Sequence, residues 1–221
     1  MTEIAGKEGK IMQEKAGKKI GILGGTFNPI HYGHLILAEN ALVQYHLDKI
    51  WFMPAGNPPH KKASEILDIK DRIEMVSLAI SDNSKFELFL YEAKKSGICY
   101  TAQTLSELKE KYPENEYFFI MGADSLVDFD SWRNPDIICK KASILAAVRD
   151  DVDMQDLKAQ INRLKKRYDA DIFELNTPNF SVSSHNIRLR VRENETIRYL
   201  LPDAVIRYIE EHHLYTKEIV S

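Results

Sequence analysis

The chain has 221 residues, of which 44% are hydrophobic, and its formal net charge is −3 at pH 7. This length fits one domain with a real core, and the charge argues against the global basic field of a dedicated nucleic-acid-binding protein. The two cysteines, Cys99 and Cys139, lack CxxC spacing, which argues against a disulfide framework or a zinc site and favours a reducing, cytoplasmic setting.

The N-terminal stretch is polar and rich in lysine. Residues 1–18 lack the apolar core of a signal peptide, and no stretch approaches the roughly 18 apolar residues that a membrane span needs. We therefore expect a disordered leader over 1–18 and a tail over 217–221. Between them we expect a single domain over 19–216, whose C-terminal helical portion begins near 183, and no membrane partner.

Short apolar runs alternate with longer helical patterns along this domain. In chain order, the spacing predicts a strand over 19–23, a helix over 33–46, a strand over 49–53, a helix over 69–81, a strand over 85–89, a helix over 102–112, strands over 116–121 and 143–148, a helix over 153–168, a strand over 171–175, and helices near 184–192 and 202–213. Such alternation predicts a doubly wound parallel α/β sheet. Sheets of this class bind ligands beyond the carboxyl ends of their strands.

Residues 24–35, GGTFNPIHYGHL, follow the first predicted strand and are called the first segment here. Its two leading glycines let a ligand approach the backbone closely, Thr26 adds a hydroxyl donor, and the start of the next helix attracts anions. His31 and His34 project to one side of that helix, and imidazoles can hydrogen-bond phosphate oxygens. The pattern predicts a polyphosphate site.

Two other interpretations of the first segment stay open. It could be a tight turn with two surface histidines, or a metal site for which the sequence shows no third ligand. It is neither a Walker loop nor GxGxxG, so the common kinase and dehydrogenase interpretations lose support.

Residues 182–188, VSSHNIR, form the second segment. Ser183 and Ser184 are predicted helix caps, and Arg188 lies one turn into the helix. Serine hydroxyls and N-terminal amides donate to phosphate, and arginine offers a bidentate fork. An ordinary capped surface helix is the alternative.

Two further segments carry candidate binding residues near predicted strand or helix ends. In PAGNPPHK (54–61) the prolines predict a rigid exposed loop from which Lys61 could reach a phosphate. A connecting loop without a binding role is the alternative. In GICYTAQTL (97–105) Thr101 precedes a predicted helix, whose free N–H groups could hold a carboxylate without a full positive charge.

The segment MGADSLVDFDSWRN (121–134) follows the predicted strand over 116–121. Gly122 allows close approach of a ligand, and Asp124 can accept hydrogen bonds from ribose hydroxyls. Trp132 offers a flat face for ring stacking, with a core tryptophan as the alternative.

The first segment closely resembles the first signature of the nucleotidyltransferases that carry an HxGH motif. Within that group the chain is most similar to the nicotinate-nucleotide adenylyltransferases. The second segment resembles their second signature, Ile-Ser-Ser-Thr-x-Ile-Arg, with departures at Val182 and His185. Cys99 stands where the family commonly has Ser, and Asn28 where it more often has Asp. The PPHK, CYT and GADS…W stretches are also similar, so the resemblance runs from about residue 19 to 216.

The resemblance implies a Rossmann-like nucleotidyltransferase fold and adenylyl transfer from ATP to nicotinate mononucleotide, a step of NAD biosynthesis. It implies Mg²⁺ with ATP and no dedicated protein metal cage. The implied catalytic residues are His31, His34 and Arg188. The implied ATP-binding residues are Gly24, Gly25, Thr26, Phe27, His31, His34, Gly122, Asp124, Ser183, Ser184 and Arg188. The implied mononucleotide-binding residues are Asn57, Lys61, Tyr100, Thr101, Trp132 and Arg149.

Alternative functions remain beside this one. A phosphopantetheine adenylyltransferase shares a similar first signature, although the PPHK-like loop, the CYT stretch and Trp132 count against it. From another class, a nucleotide-binding sensor without catalysis would keep the fold. No nucleic-acid partner is expected, and a homo-oligomer is left open.

Overall fold

A computed structural model describes residues 17–57, 66–148, 154–178 and 181–216. The predicted leader up to residue 16, the predicted tail, and the candidate residues Lys61 and Arg149 lie outside the described residues.

Strands and helices alternate along the described chain. They are β1 (Lys19–Gly25), α1 (Tyr32–Gln44), β2 (Lys49–Pro54), α2 (Ile69–Ile80), β3 (Phe86–Leu88), α3 (Thr101–Lys111), β4 (Glu116–Gly122), α4 (Ala123–Val127), a 3-10 turn (Phe129–Ser131), α5 (Pro135–Lys141), β5 (Ser143–Val148), α6 (Met154–Tyr168), β6 (Ile172–Asn176), α7 (Ser184–Arg192) and α8 (Asp203–Glu211).

The six strands form one sheet in the order β3-β2-β1-β4-β5-β6, and every neighbouring pair is parallel. Apolar side chains pack on both faces. Ile20 and Ile22 of β1 belong to one buried cluster, whereas Leu23 belongs to the cluster on the other face. Because successive residues of a strand point to opposite faces, this distribution confirms the predicted doubly wound α/β sheet.

The strand order places a crevice beside β1. The chain builds outward from β1 to β2 and β3, then returns to lay β4 on the other side of β1. A crevice opens beyond the carboxyl ends of the strands where the winding reverses. Gly25, Pro54 and Gly122 end the three central strands, so the loops that follow them meet at one edge of the sheet.

Two local features differ from the sequence prediction. Gly24 and Gly25 belong to β1, where they pair with Met53 and Pro54 in parallel register, although the prediction ended this strand at residue 23. Helices α4 and α5 were not predicted. They have 5 and 7 residues, too few for helical periodicity to be visible. Within the described residues, no helix has the length and apolar character needed to cross a membrane.

Candidate active site

The two histidines of the first segment lie together at the start of α1. His31 is the N-cap residue, and its backbone N–H donates to Nδ1 of His34 at 3.2 Å. The two ring centroids are 3.8 Å apart. Because Nδ1 of His34 accepts a hydrogen bond, a neutral His34 carries its proton on Nε2. The pair therefore presents an imidazole N–H donor of defined tautomer.

Gly33 and Phe27 explain why the histidines can pack in this way. A Cβ atom on Gly33 would lie 2.9 Å from Nδ1 of His31, so a larger residue would displace that ring. The ring of Phe27 is 2% exposed and meets His34 edge-to-face at 5.1 Å. Phe27 thus supports His34 from behind, and the ATP contact that the resemblance implies for it stays a prediction.

The second segment docks directly on the first. Ser184 Oγ donates to the carbonyl of Pro29 at 2.8 Å, and Arg188 Nη1 donates to the carbonyl of Asn28 at 2.8 Å. Ser183 caps α7 by accepting from the N–H of Asn186 at 3.1 Å. The single hydroxyl proton of Ser184 is therefore engaged by the loop, whereas Arg188 keeps further N–H donors free of these contacts.

A cavity of about 220 Å³ lies along α7 and is lined by His185, Arg188, Leu189 and Arg192. Two guanidinium groups and an imidazole make its lining suited to an anion. Arg192 was not among the predicted site residues. Its spacing of four from Arg188 places both on one helix face, and that spacing was the available signal.

Asn28 is buried at 2% exposure and joins three parts of the chain. Its Oδ1 accepts from the N–H of Leu67 at 3.3 Å and from the hydroxyl of Tyr215 at 2.9 Å. Burial raises the pKa of Tyr215 far above its ordinary value, so this hydroxyl stays a donor. Asn28 therefore fixes the first segment against the chain after the Pro-rich loop and against the C-terminal end.

A buried arginine that the sequence analysis missed lies beneath the same loops. Arg72 of α2 is 1% exposed and donates hydrogen bonds to the carbonyls of Thr26, Ala55, Gly56 and Leu67 at 2.8–3.2 Å. It occupies a position in the buried stripe of α2, beside Met75, Val76, Ala79 and Ile80. A cation within a predicted apolar stripe was the signal that could have drawn attention to it.

Two of the predicted mononucleotide residues lie at the start of α3. Tyr100 is the N-cap residue, makes no side-chain capping bond, and is followed by Thr101 as the first helical residue. The guanidinium of Arg133 lies 4.5 Å from the centroid of the Tyr100 ring. Both residues line a cavity of about 360 Å³ between α3 and α5. Trp132 is half-buried and meets Phe119 edge-to-face at 6.0 Å, so its ring also belongs to the core packing.

The remaining described candidates lie at the same edge of the sheet. Gly122 ends β4, and a Cβ atom built on it would meet nothing within 4 Å, so this position faces open space. Asp124 is exposed in the first turn of α4, and Asn57 is exposed shortly after β2.

A buried carboxyl supports the chain that leads into α3. Glu92 is 7% exposed and accepts from the hydroxyl of Thr104 at 2.8 Å. Burial raises the pKa of Glu92 above its ordinary value. A Cβ atom on Gly56 would lie 2.7 Å from the Glu92 carbonyl oxygen, so the loop after β2 packs closely against this turn.

Comparison with known proteins identifies the family. The cytidylyltransferase-like family matches residues 22–190. A protein of Lachnoclostridium phytofermentans named "Probable nicotinate-nucleotide adenylyltransferase" is 46% identical over 198 residues, which cover 90% of this chain and 99% of that protein. A protein of the same name from Thermoanaerobacter sp. is 40% identical over 201 residues, covering 90% and 95%. This chain belongs to the nicotinate-nucleotide adenylyltransferase family.

Solved structures match the fold of this family member. A Plasmodium falciparum nicotinic acid mononucleotide adenylyltransferase complexed with NaAD superposes with a TM-score of 0.74 at 21% identity, covering 90% of this chain and 97% of that one. The structure complexed with APC gives a TM-score of 0.72 at the same identity and coverage. At this identity the likeness establishes the shared nucleotidyltransferase fold.

The described part of this family member lacks a cluster of metal-ligating side chains. Across residues 17–57, 66–148, 154–178 and 181–216, no group of three or more His, Cys, Asp or Glu residues has an arrangement that could hold a metal ion. The expectation that a divalent ion comes with ATP stays a prediction.

The junction at Asn28 predicts a stability change. Asn28→Leu removes the acceptor for Leu67 N–H and for the Tyr215 hydroxyl, and each buried unpaired group costs about 1–3 kcal/mol. We expect the free energy of unfolding, measured by urea titration, to fall by about 2–4 kcal/mol. Asn28→Asp is the matched control, because it keeps an oxygen acceptor for Leu67 N–H and the Tyr215 hydroxyl and should lose less. Equal losses in both variants would contradict the hydrogen-bonding role.

The pKa shifts of two carboxyls, Glu92 before α3 and Glu107 within α3, have opposite directions and predict opposite effects on stability. Because folding raises the pKa of Glu92, the wild type carries a penalty that grows as pH rises through the ordinary pKa of a carboxyl. We expect Glu92→Gln to increase the free energy of unfolding more at pH 8 than at pH 5. A hydrogen bond from Lys95 lowers the pKa of Glu107. Glu107→Gln should therefore lose stability at pH 5 and at pH 8 alike, because this stabilisation disappears only as pH falls below the ordinary pKa of a carboxyl. Urea titrations at both pH values measure this contrast, and the same sign in both variants would refute it.

Proposed function

We propose that this chain transfers the adenylyl group of ATP to nicotinate mononucleotide, giving nicotinate adenine dinucleotide and pyrophosphate. The observation that carries the proposal is the docking of the second segment on the first, which brings His31, His34 and Arg188 to one edge of the sheet. The family membership supports the same reaction. We further propose that residues 19–216 act as one catalytic unit.

The reaction needs no nucleophilic side chain. The second pKa of a phosphate monoester is about 6, so the mononucleotide phosphate is already a nucleophile near pH 7. The phosphate oxygen attacks the α-phosphorus of ATP, and the bond to the bridging oxygen breaks as pyrophosphate leaves. The protein therefore has two tasks, which are to place the two phosphates in line and to offset the charge on the leaving group.

The described residues are suited to these tasks. His34 offers the Nε2 N–H donor to an oxygen near the transferred phosphorus, because its Nδ1 is held by the His31 backbone. Arg188 and the start of α7 hold the leaving pyrophosphate, with Arg192 and His185 along the same cavity. Ser183 serves as the helix cap there. Gly24, Gly25, Thr26 and Gly122 admit the nucleotide to the strand ends.

We assign the mononucleotide to the other half of the crevice. The N–H groups at the start of α3, beginning with Thr101, would hold the nicotinate carboxylate, and the ring would stack on Trp132. Asn57 and Lys61 would approach its phosphate, and Arg149 stays a proposed contact; Lys61 and Arg149 lie outside the described residues. Mg²⁺ would enter as part of the ATP substrate, where it neutralises phosphate charge.

A pyrophosphate-release assay tests the proposal. The chain is supplied with ATP and, in parallel, with nicotinate mononucleotide, nicotinamide mononucleotide or phosphopantetheine. We expect the highest kcat/KM with nicotinate mononucleotide. Preference for phosphopantetheine would indicate a phosphopantetheine adenylyltransferase instead, and binding of ATP without release of pyrophosphate would indicate a sensor.

The cytoplasmic location stays a prediction.

His34 generates the central activity prediction. His34→Ala removes the Nε2 donor at the transfer point, and loss of one such donor costs about 10²–10³ in kcat. We expect turnover to fall by that factor while the thermal melting curve stays cooperative. His212→Ala is the matched control, because His212 is an exposed histidine at the end of α8. Near-normal turnover in folded His34→Ala would overturn the assignment.

Gly33 generates a second activity prediction. In Gly33→Ala the new methyl group displaces the His31 ring, whereas the greater helix propensity of alanine, worth about 1 kcal/mol, offsets part of the strain. We expect kcat to fall at least about 10-fold, a loss of some 1.4 kcal/mol, with little change in melting temperature. Gly122→Ala adds the same methyl group in open space and should leave the melting temperature unchanged. A fully active Gly33→Ala variant would contradict the steric argument.

A further inference from the structure

We propose that Arg72 is a positioning residue that joins the ATP loop to the mononucleotide loop and sets the distance between the two reacting phosphates. This inference rests on the proposed function for its kinetic consequences. The structural observation beneath it is independent of any substrate, because it consists of four hydrogen bonds from one guanidinium group.

The four acceptors lie on three separate stretches of backbone. Nη1 donates to Thr26 in the first segment at 2.8 Å and to Ala55 after β2 at 2.9 Å. Nη2 donates to Gly56 at 3.2 Å, and Nε donates to Leu67 before α2 at 3.1 Å. A planar fork with fixed donor directions can hold these carbonyls only in one relative arrangement.

The two loops joined in this way are those assigned to the two substrates. Thr26 is adjacent to the glycines that would admit ATP, and Gly56 precedes Asn57, which would approach the mononucleotide. Phosphate transfer requires the attacking oxygen within about 3–3.5 Å of the phosphorus, and a misplacement of about 1 Å can cost about 100-fold. The relative position of the loops therefore bears directly on rate.

The surroundings of Arg72 point to a role in loop geometry. Its side chain is 1% exposed, and none of the ion pairs among the described residues involves it. A buried charge is costly unless it is hydrogen-bonded, and here backbone carbonyls supply the partners. An apolar residue would complete the buried stripe of α2 without that cost, so packing alone does not account for an arginine at this position.

Asn28 extends the joint on the side of the first segment. The side-chain oxygen of Asn28 accepts from Leu67 N–H, while the Leu67 carbonyl accepts from Arg72. The N–H and the carbonyl of Leu67 are thereby both hydrogen-bonded. The backbone carbonyl of Asn28 also accepts a hydrogen bond from Arg188. The guanidinium is thus connected to both halves of the proposed phosphate site through two residues.

The experiment compares Arg72→Lys and Arg72→Met with the wild type. Lysine keeps the charge but lacks the planar fork, and methionine keeps most of the length and removes every donor. Arg163→Met is the matched control, because it removes an arginine of α6 that pairs with Asp130 of the 3-10 turn. Ile209→Ala, a core substitution in α8, controls for lost stability. All variants are assayed well below their melting temperatures.

Two readouts decide the outcome. The first readout is kcat, which we expect to fall by about 10- to 100-fold in both Arg72 variants. The second is binding: the dissociation constants of a non-hydrolysable ATP analogue and of nicotinate mononucleotide are measured separately, and we expect them to change by a smaller factor than kcat. The control variants should keep their kcat. Retained kcat in folded Arg72→Lys and Arg72→Met, or a loss that appears entirely as weaker binding of one ligand, would overturn the proposal.

Hydrogen–deuterium exchange supplies a readout that needs no substrate. In Arg72→Lys we expect amides of residues 24–28 and of 55–57 to exchange faster together, with β4 unchanged. Acceleration in only one loop, or only at the start of α2, would overturn the proposed joint. A wild type that transfers no adenylyl group would refute the proposed function, whereas the exchange experiment would still decide whether Arg72 couples the loops.

Discussion

Backbone carbonyls from three separate stretches converge on one buried guanidinium group. Arg72 donates hydrogen bonds to the carbonyls of Thr26, Ala55, Gly56 and Leu67. The loops at the carboxyl edge of the sheet take their relative positions from these contacts. Burial lowers the pKa of Arg72, but an arginine begins so high that it remains charged near neutral pH. The charge makes each of these hydrogen bonds stronger than a neutral one.

A second polar contact joins the two ends of the domain. The first segment begins at the end of β1. The second segment and Tyr215 come more than 150 residues later, and all of them meet at Asn28 and Pro29. Buried polar groups are tolerated because they are paired. The resulting network is local in space although it is remote in sequence. The candidate site therefore depends on the parallel sheet, which brings strand ends to one edge, and on these few hydrogen bonds, which fix the positions of the segments relative to each other.

The strands and longer helices were predictable because their apolar periodicity is strong. The helix over 69–81 was expected and is α2, and the strand over 143–148 is β5 with the same bounds. The short helices α4 and α5 were missed because one or two turns leave no measurable period. The strand end at Gly24 and Gly25 was also missed, since glycines carry no apolar signal. Their place in β1 comes from pairing with Met53 and Pro54.

The residues of the site also divide into those that were predicted and those that were missed. His31, Gly33 and His34 could be predicted because they lie close together in the chain, at the start of one helix. Residues whose side chains bind carbonyls far away in the sequence could not be predicted. Arg72 looked like one charged residue within a predicted helix, and no pattern in the sequence indicates that the Ser184 hydroxyl donates to the carbonyl of Pro29.

The fold class and the family could be predicted from the amino-acid sequence, because hydrophobic period and contiguous motifs are local properties. The way in which the loops at the carboxyl edge of the sheet are held became visible in three dimensions, because hydrogen bonds between remote groups leave no pattern in the chain. Phe27 illustrates the difference, as its motif position suggested a ligand contact and its burial makes it the support of His34. The histidine pair came from the sequence, and its orientation came from packing.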